Sequence, residues 1–200
     1  MPRRLLPLVL VTLSVLGAGC ADTVSPAVRV DGEAIGNSAL LDEVAEWAGN
    51  PTLLQAVQFP PELVEGAGPG SYSTELVGFV LGSRIGFELH RAEFEERGLE
   101  ISEDQRTVVR QQLFGDPAVT EQVFADFSDG YGDQLVDDVA RQIGLEEALG
   151  DEYPTWAAEA FGSADIDVNP RYGTWSAEEQ RVVPPDGPID RTTPDPLAVP

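Results

Sequence analysis

The chain has 200 residues, 35 of them acidic and 12 basic, for a formal charge of −23. That balance excludes recognition of nucleic acid, or of an anionic membrane, through the charge of the folded body. One cysteine and one histidine exclude an internal disulfide and the usual Cys/His zinc sites, and leave His90 alone to serve any nucleophilic triad.

The chain opens with a targeting signal over residues 1–19. Arg3 and Arg4 form a basic start, residues 5–16 are apolar but too few to span a bilayer, and Gly17-Ala18-Gly19 leads to Cys20. This end resembles a bacterial lipoprotein signal, with Leu16 one place early and Gly17 where a larger aliphatic residue is usual. The resemblance implies diacylglycerol on Cys20, which becomes the mature N-terminus. The body is then held outside the cytoplasmic membrane by more than one acyl chain, palmitate among them. The plainer reading is a secretory signal with an incidental cysteine. Without Arg3 and Arg4, ten arginines face 35 acidic residues, a formal charge of −25. Such acidity keeps a body soluble and repelled from an anionic surface, or attracts basic unfolded segments; composition leaves both open.

Residues 20–27 read as a short polar tether. Val28 and Val30 share one face of a strand, Asp31-Gly32 marks a turn, and a second brief strand ends at Ile35. Two strands are marginal alone, so this ribbon needs another strand or a helix beneath it. Asn37 or Ser38 is placed to cap the next helix. Its apolar face is Leu40, Leu41, Val44, Ala45, Trp47 and Ala48, with Asp42, Glu43 and Glu46 outside. Gly49-Asn50-Pro51 ends it. Residues 52–58 predict a short helix before Pro60-Pro61. The loop 66–71 lacks the Gly-Lys-Ser/Thr of a phosphate-binding loop.

Residues 73–97 predict the longest helix. Leu76, Val80, Phe87 and Phe94 form one stripe and Val77, Leu81, Ile85 and Ala92 another, so its first half is apolar on nearly every side, as in a buried helix. The uncharged run 76–83 is far short of a membrane span. Gly78, Gly82 and Gly86 recur every four residues. Each costs up to about 1 kcal/mol against alanine, so three in line predict a neighbouring helix crossing against bare backbone. The other reading of the same line is the floor of a groove for an apolar partner. Arg97-Gly98 supplies a stop.

Ser102 caps a helix over 103–114 with Val108, Val109, Gln112 and Leu113 on its face. Pro117 starts another, with Val119, Val123, Phe124 and Phe127 as its stripe. Residues 126–138 are rich in acid and glycine, but neither EF-hand register puts oxygen ligands at the required positions. They read instead as a turn and the acidic start of a helix over 133–149 that buries Leu135, Val136, Val139, Ile143 and Ala148. A short helix over 153–161 turns Trp156 inward. Ile166 and Val168 then alternate as a strand, the natural partner of the 28–35 ribbon. Residues 184–200 carry six prolines and predict a disordered tail.

Three stretches in this order resemble one known family. VRVDGEAIGNSALLDEVAEWA is similar to the ribbon and first helix of the SurA N-terminal-like domain of SurA- and PrsA-type secreted chaperones. ELVGFVLGSRIGFELHRAEFEERGLEIS is similar to its long helix and Ser-capped successor, and IDVNPRYGTWSAEEQRVVPP to its closing segment. The resemblance runs over residues 28–185, with the domain itself at 28–183. It implies a mainly α fold around one long central helix, with a small β-ribbon formed by the N- and C-terminal ends of the domain. Members of the family clasp unfolded or newly secreted polypeptides, and many carry a parvulin prolyl isomerase domain before the closing strand. The interval 150–165 is too short for such a domain, which needs on the order of 100 residues.

The expectation is a lipid-anchored, extracytoplasmic protein that holds polypeptides without catalysis, using no cofactor, metal or nucleic acid. An envelope adaptor for one folded partner is the alternative, and a residual prolyl isomerase a more remote one. Phe79, Phe87, Phe114 and Phe124 are the candidate polypeptide-binding residues, because aromatics carry binding surfaces. His90, Trp47, Trp156 and Trp175 read as structural.

Overall fold

The computed structural model describes residues 25–185, which are mainly helical with two small antiparallel sheets. The elements are β1 (Val28–Val30), β2 (Glu33–Ile35), α1 (Asn37–Ala48), α2 (Pro51–Ala56), α3 (Thr74–Glu96), α4 (Glu103–Gln112), α5 (Pro117–Ala125), α6 (Asp129–Leu149), α7 (Tyr153–Ser163), β3 (Ile166–Val168), β4 (Thr174–Ser176) and β5 (Arg181–Val183). The signal, Cys20 and residues 186–200 of the expected tail lie outside the described residues.

Local chemistry sets the limits of α3. The Ser73 hydroxyl accepts the Leu76 backbone N–H at 3.0 Å, satisfying a donor that the first turn leaves unpaired. At the other end Gly98 takes a left-handed φ of +66°, and the Leu99 N–H returns to the Phe94 carbonyl. Between them Leu76, Val77, Val80, Leu81 and Ile85 are fully buried, each worth about 1.5–3 kcal/mol of transfer from water. α1 packs on one side of this helix and α6 on another. Farther along, Leu89 and Phe94 stay buried, but Ala92, expected in an apolar stripe, is exposed, because the buried face narrows as the helix runs toward solvent.

The ribbon forms at Asp31 and Gly32, whose φ values of +49° and +91° suit a two-residue hairpin turn. β3 adds to the far edge of β1, placing Val168 opposite Val28, and the buried Val28, Val30 and Val168 give the sheet one apolar face. The two ends of the body thus meet in one sheet of order β2-β1-β3.

Several local expectations are corrected. Neither Asn37 nor Ser38 caps α1: Gly36 holds the N-cap position, and the Asn37 amide instead donates to the Ser25 carbonyl at 2.7 Å, tying down the tether. Val108 is exposed, because α4 turns only a narrow edge, centred on Val109, toward Val136 and Ala140. α6 begins one turn earlier than 133. Its last turns meet Phe94 and Tyr153 instead of the main core, so Leu145 and Leu149 are buried and Ala148 is exposed.

A helix meets the glycine line of α3 only at Gly86, through the Phe161 ring of α7, and a strand lies along the rest. β4 and β5 form a hairpin, with Trp175 opposite Val182, that lays its second strand along the glycines. A Cβ on Gly78 would lie 3.4 Å from Pro184 and 3.5 Å from the Val182 carbonyl, and one on Gly86 would lie 3.5 Å from the Phe161 ring. Pro184, expected in the tail, is therefore packed against the central helix.

Candidate functional site

The hairpin does not cover the glycine line completely. A groove of about 560 Å³ runs beside it, with Gly78, Phe79, Gly82, Ser83, Gly86, Phe87 and His90 of α3 as its floor. Phe59, Phe161, Gln142, the turn residue Gln180, and Arg181 and Val182 of β5 with Pro184 make its walls. Phe79 is 40% exposed at the opening, held by edge contacts to Trp47 at 5.4 Å and Phe59 at 5.5 Å between ring centres. The absent Cβ atoms of Gly78, Gly82 and Gly86 let Pro184, Val182 and Phe161 approach α3 closely, which draws the walls of the groove in against its floor.

His90 closes one end. Its Nδ1 lies 2.6 Å from the Gly86 carbonyl and so carries the proton and donates, leaving Nε2 to accept from the Tyr153 hydroxyl at 2.8 Å. Burial pushes its pKa below the ordinary histidine value, so the ring is neutral at pH 7. With both nitrogens engaged and Trp156 packed edge-on at 5.2 Å, His90 acts as a wall of the groove, in keeping with the structural reading.

Two of the four predicted aromatics come together here: Phe79 and Phe87 share the floor. Phe114 and Phe124 do not join them. Both are half-buried against the main core, Phe124 edge-on to Phe127 and beneath the Arg110 guanidinium. The sequence reading missed Phe59, Phe161, Val182 and Pro184, for which the only signal was that something must approach the glycines.

A different flank of α3 carries buried charge. The Arg84 guanidinium donates to Glu43 of α1 at 3.1 Å and to Asp138 of α6 at 2.8 Å, tying three helices together. Tyr131 donates to Glu43 at 3.1 Å, and Arg141 donates to Asp138 at 3.0 Å. Glu43 was expected on the outside of α1; it is 7% exposed, because the Arg84 side chain and the Tyr131 hydroxyl cover it there. Burial raises the Glu43 pKa against the pull of Arg84. Burial likewise pushes the Asp138 carboxyl up to about 6, although Arg84 and Arg141 draw it down.

A folded pKa above the unfolded one means that the native state binds the extra proton between pH 6 and 4, so stability rises as pH falls through that window. Asp138 alone is expected to add about 1 kcal/mol between pH 7 and pH 5, or about 3 °C in the thermal midpoint. Thermal unfolding followed by circular dichroism checks this. Asp138→Asn should flatten the rise, and an equal rise in that variant would refute the assignment.

Among the described residues there is no cluster of His, Cys, Asp and Glu suited to a metal ion, and no helix long and apolar enough to cross a membrane. Comparison with protein-family profiles, curated proteins and solved structures finds no match.

Proposed function

We propose that this chain is a lipid-anchored extracytoplasmic holding protein of the SurA N-terminal-like type, which binds unfolded or newly secreted polypeptides without acting on them chemically. The supporting observation is the groove: an open hollow along α3, lined by the aromatics Phe59, Phe79, Phe87 and Phe161. Burial against such a surface is non-directional and stabilises by about 25 cal/mol per Å² of apolar area, so it suits clients that share no sequence. The acidic shell keeps holder and client soluble together. The interval in which catalytic members of the family carry their parvulin domain is occupied by one short 3-10 turn, Gly150–Glu152, and α7, which supports a non-catalytic role.

The test uses the chain from Ala21 to Pro200, without lipid. At near-stoichiometric amounts it should suppress aggregation of a chemically unfolded secreted protein, measured by light scattering against an equally acidic unrelated protein. Phe79→Ser should lose at least about half of that suppression while keeping its helical circular dichroism, since Phe79 is the most open aromatic of the groove. Suppression no better than the acidic control would sink the reading.

A further inference from the structure

We infer that the segment this groove takes is an extended apolar stretch of about seven residues bordered by lysine or arginine, an inference that rests on the holding function above and names its substrate. The length follows from α3, which lines the groove from Glu75 to His90. That stretch of helix is about 22 Å long, and an extended chain covers it at about 3.3 Å per residue, hence roughly seven residues. Over this length the guest meets Phe79, Phe87, Phe161, Val182 and Pro184, and its interior must be apolar to match.

Charge sets the borders. Glu75 stands exposed at the start of α3, held only by the neighbouring Thr74 hydroxyl at 3.1 Å. At the opposite end Glu146 stands exposed on α6, one helical turn beyond the lining residue Gln142, and its charge reaches His90 and Tyr153. Among the described residues no cation is paired with either carboxylate. The one cation on the lining, Arg181, is already neutralised by Glu179 at 2.6 Å. Both ends therefore carry uncompensated negative charge beside a low-dielectric floor, within the field of a body that is acidic throughout. Lysine or arginine at the borders of a bound segment meets this charge while its methylene stem stays on the apolar surface. The same field disfavours the other candidates. Residues 186–200 carry Asp186, Asp190 and Asp195 against Arg191 alone, and a second copy of the chain is as acidic as the first.

The test is fluorescence anisotropy with the non-lipidated chain and three dye-labelled peptides. All share an apolar core of about seven residues alternating Phe, Val and Ala, and they are flanked by Lys pairs, Ser pairs or Asp pairs. The Lys-flanked peptide should bind about tenfold more tightly than the Asp-flanked one at low ionic strength, and no more than about twofold more tightly near 0.5 M salt. Replacing both carboxylates, Glu75→Gln with Glu146→Gln, should remove most of the preference. Equal binding of all three peptides refutes the basic borders and leaves the holding function standing, whereas binding of none refutes both. A preference that survives the double substitution places it in the overall charge and overturns the inference. Binding that emerges only when residues 186–200 are deleted also overturns it, since the chain would then be its own occupant.

Discussion

Arg84→Met is expected to cost about 3–5 kcal/mol of folding stability at pH 7 and to lower the thermal midpoint by about 10–15 °C. The side chain is 11% exposed and is the shared partner of Glu43 and Asp138, which are themselves almost wholly buried. Methionine fills much of the same volume, so the loss comes from charge: two carboxylates remain almost wholly buried at a junction of three helices, with Arg141 reaching only Asp138. Part of the loss should return at pH 5, where both carboxyls, already raised by burial, take up protons. Adding Glu43→Gln and Asp138→Asn should restore most of it at pH 7, since an uncharged set has no buried charge to compensate. Urea unfolding of the four proteins measures these differences. A loss below about 1 kcal/mol for Arg84→Met would mean that water reaches the carboxylates and that the triad is a surface feature.

The reach of the sequence reading follows the range of the signals. Ser73 and Gly98 announce the ends of α3, and Asp31-Gly32 announces the hairpin, because in each case the residue that forms the turn is the residue that identifies it. That β3 joins the ribbon of β1 and β2 was legible from two apolar alternations at opposite ends of the body, though its register was not. Glu43 was not. A helical wheel sends any carboxylate to solvent unless its cation is known, and Arg84 and Asp138 lie far along the chain on other helices. The β4–β5 hairpin was missed for a different reason. Its connection, Ala177-Glu178-Glu179-Gln180, has no glycine, asparagine or proline, and Gln180 itself adopts the left-handed φ of +51°. The glycine line signalled a close approach but not its source, which is why a strand stands over Gly78 and Gly82 where a helix was expected, and helix α7 meets only Gly86. The groove inherits that gap. Its floor lies on one helix and was half legible in Phe79 and Phe87, while its walls come from residues brought in by tertiary packing.

The closing strand therefore has two roles, since β5 both covers part of the glycine line and makes one wall of the groove. The residue on which its placement turns is Gly173, between the buried Tyr172 and β4. Its φ of +133° is one that side chains rarely adopt, and a Cβ there would stand far inside contact distance of the Val183 carbonyl oxygen and 2.9 Å from Val182 Cγ1. Backbone cannot turn aside as a flexible side chain does, so Gly173→Ala must displace the hairpin. Strained φ and overpacking each cost about 1–3 kcal/mol, and the variant is expected to lose about 3–5 kcal/mol in urea unfolding. Gly162→Ala is the control. It lies in α7 with nothing within 4 Å of an added Cβ, and it should leave stability unchanged or raise it by up to about 1 kcal/mol. The two variants also separate fold from function. If Gly173→Ala stays helical but no longer suppresses aggregation, while Gly162→Ala suppresses it as the parent does, the wall made by β5 is part of the binding surface. If Gly173→Ala suppresses aggregation as well as the parent, clients bind elsewhere on the body and the groove is not their site.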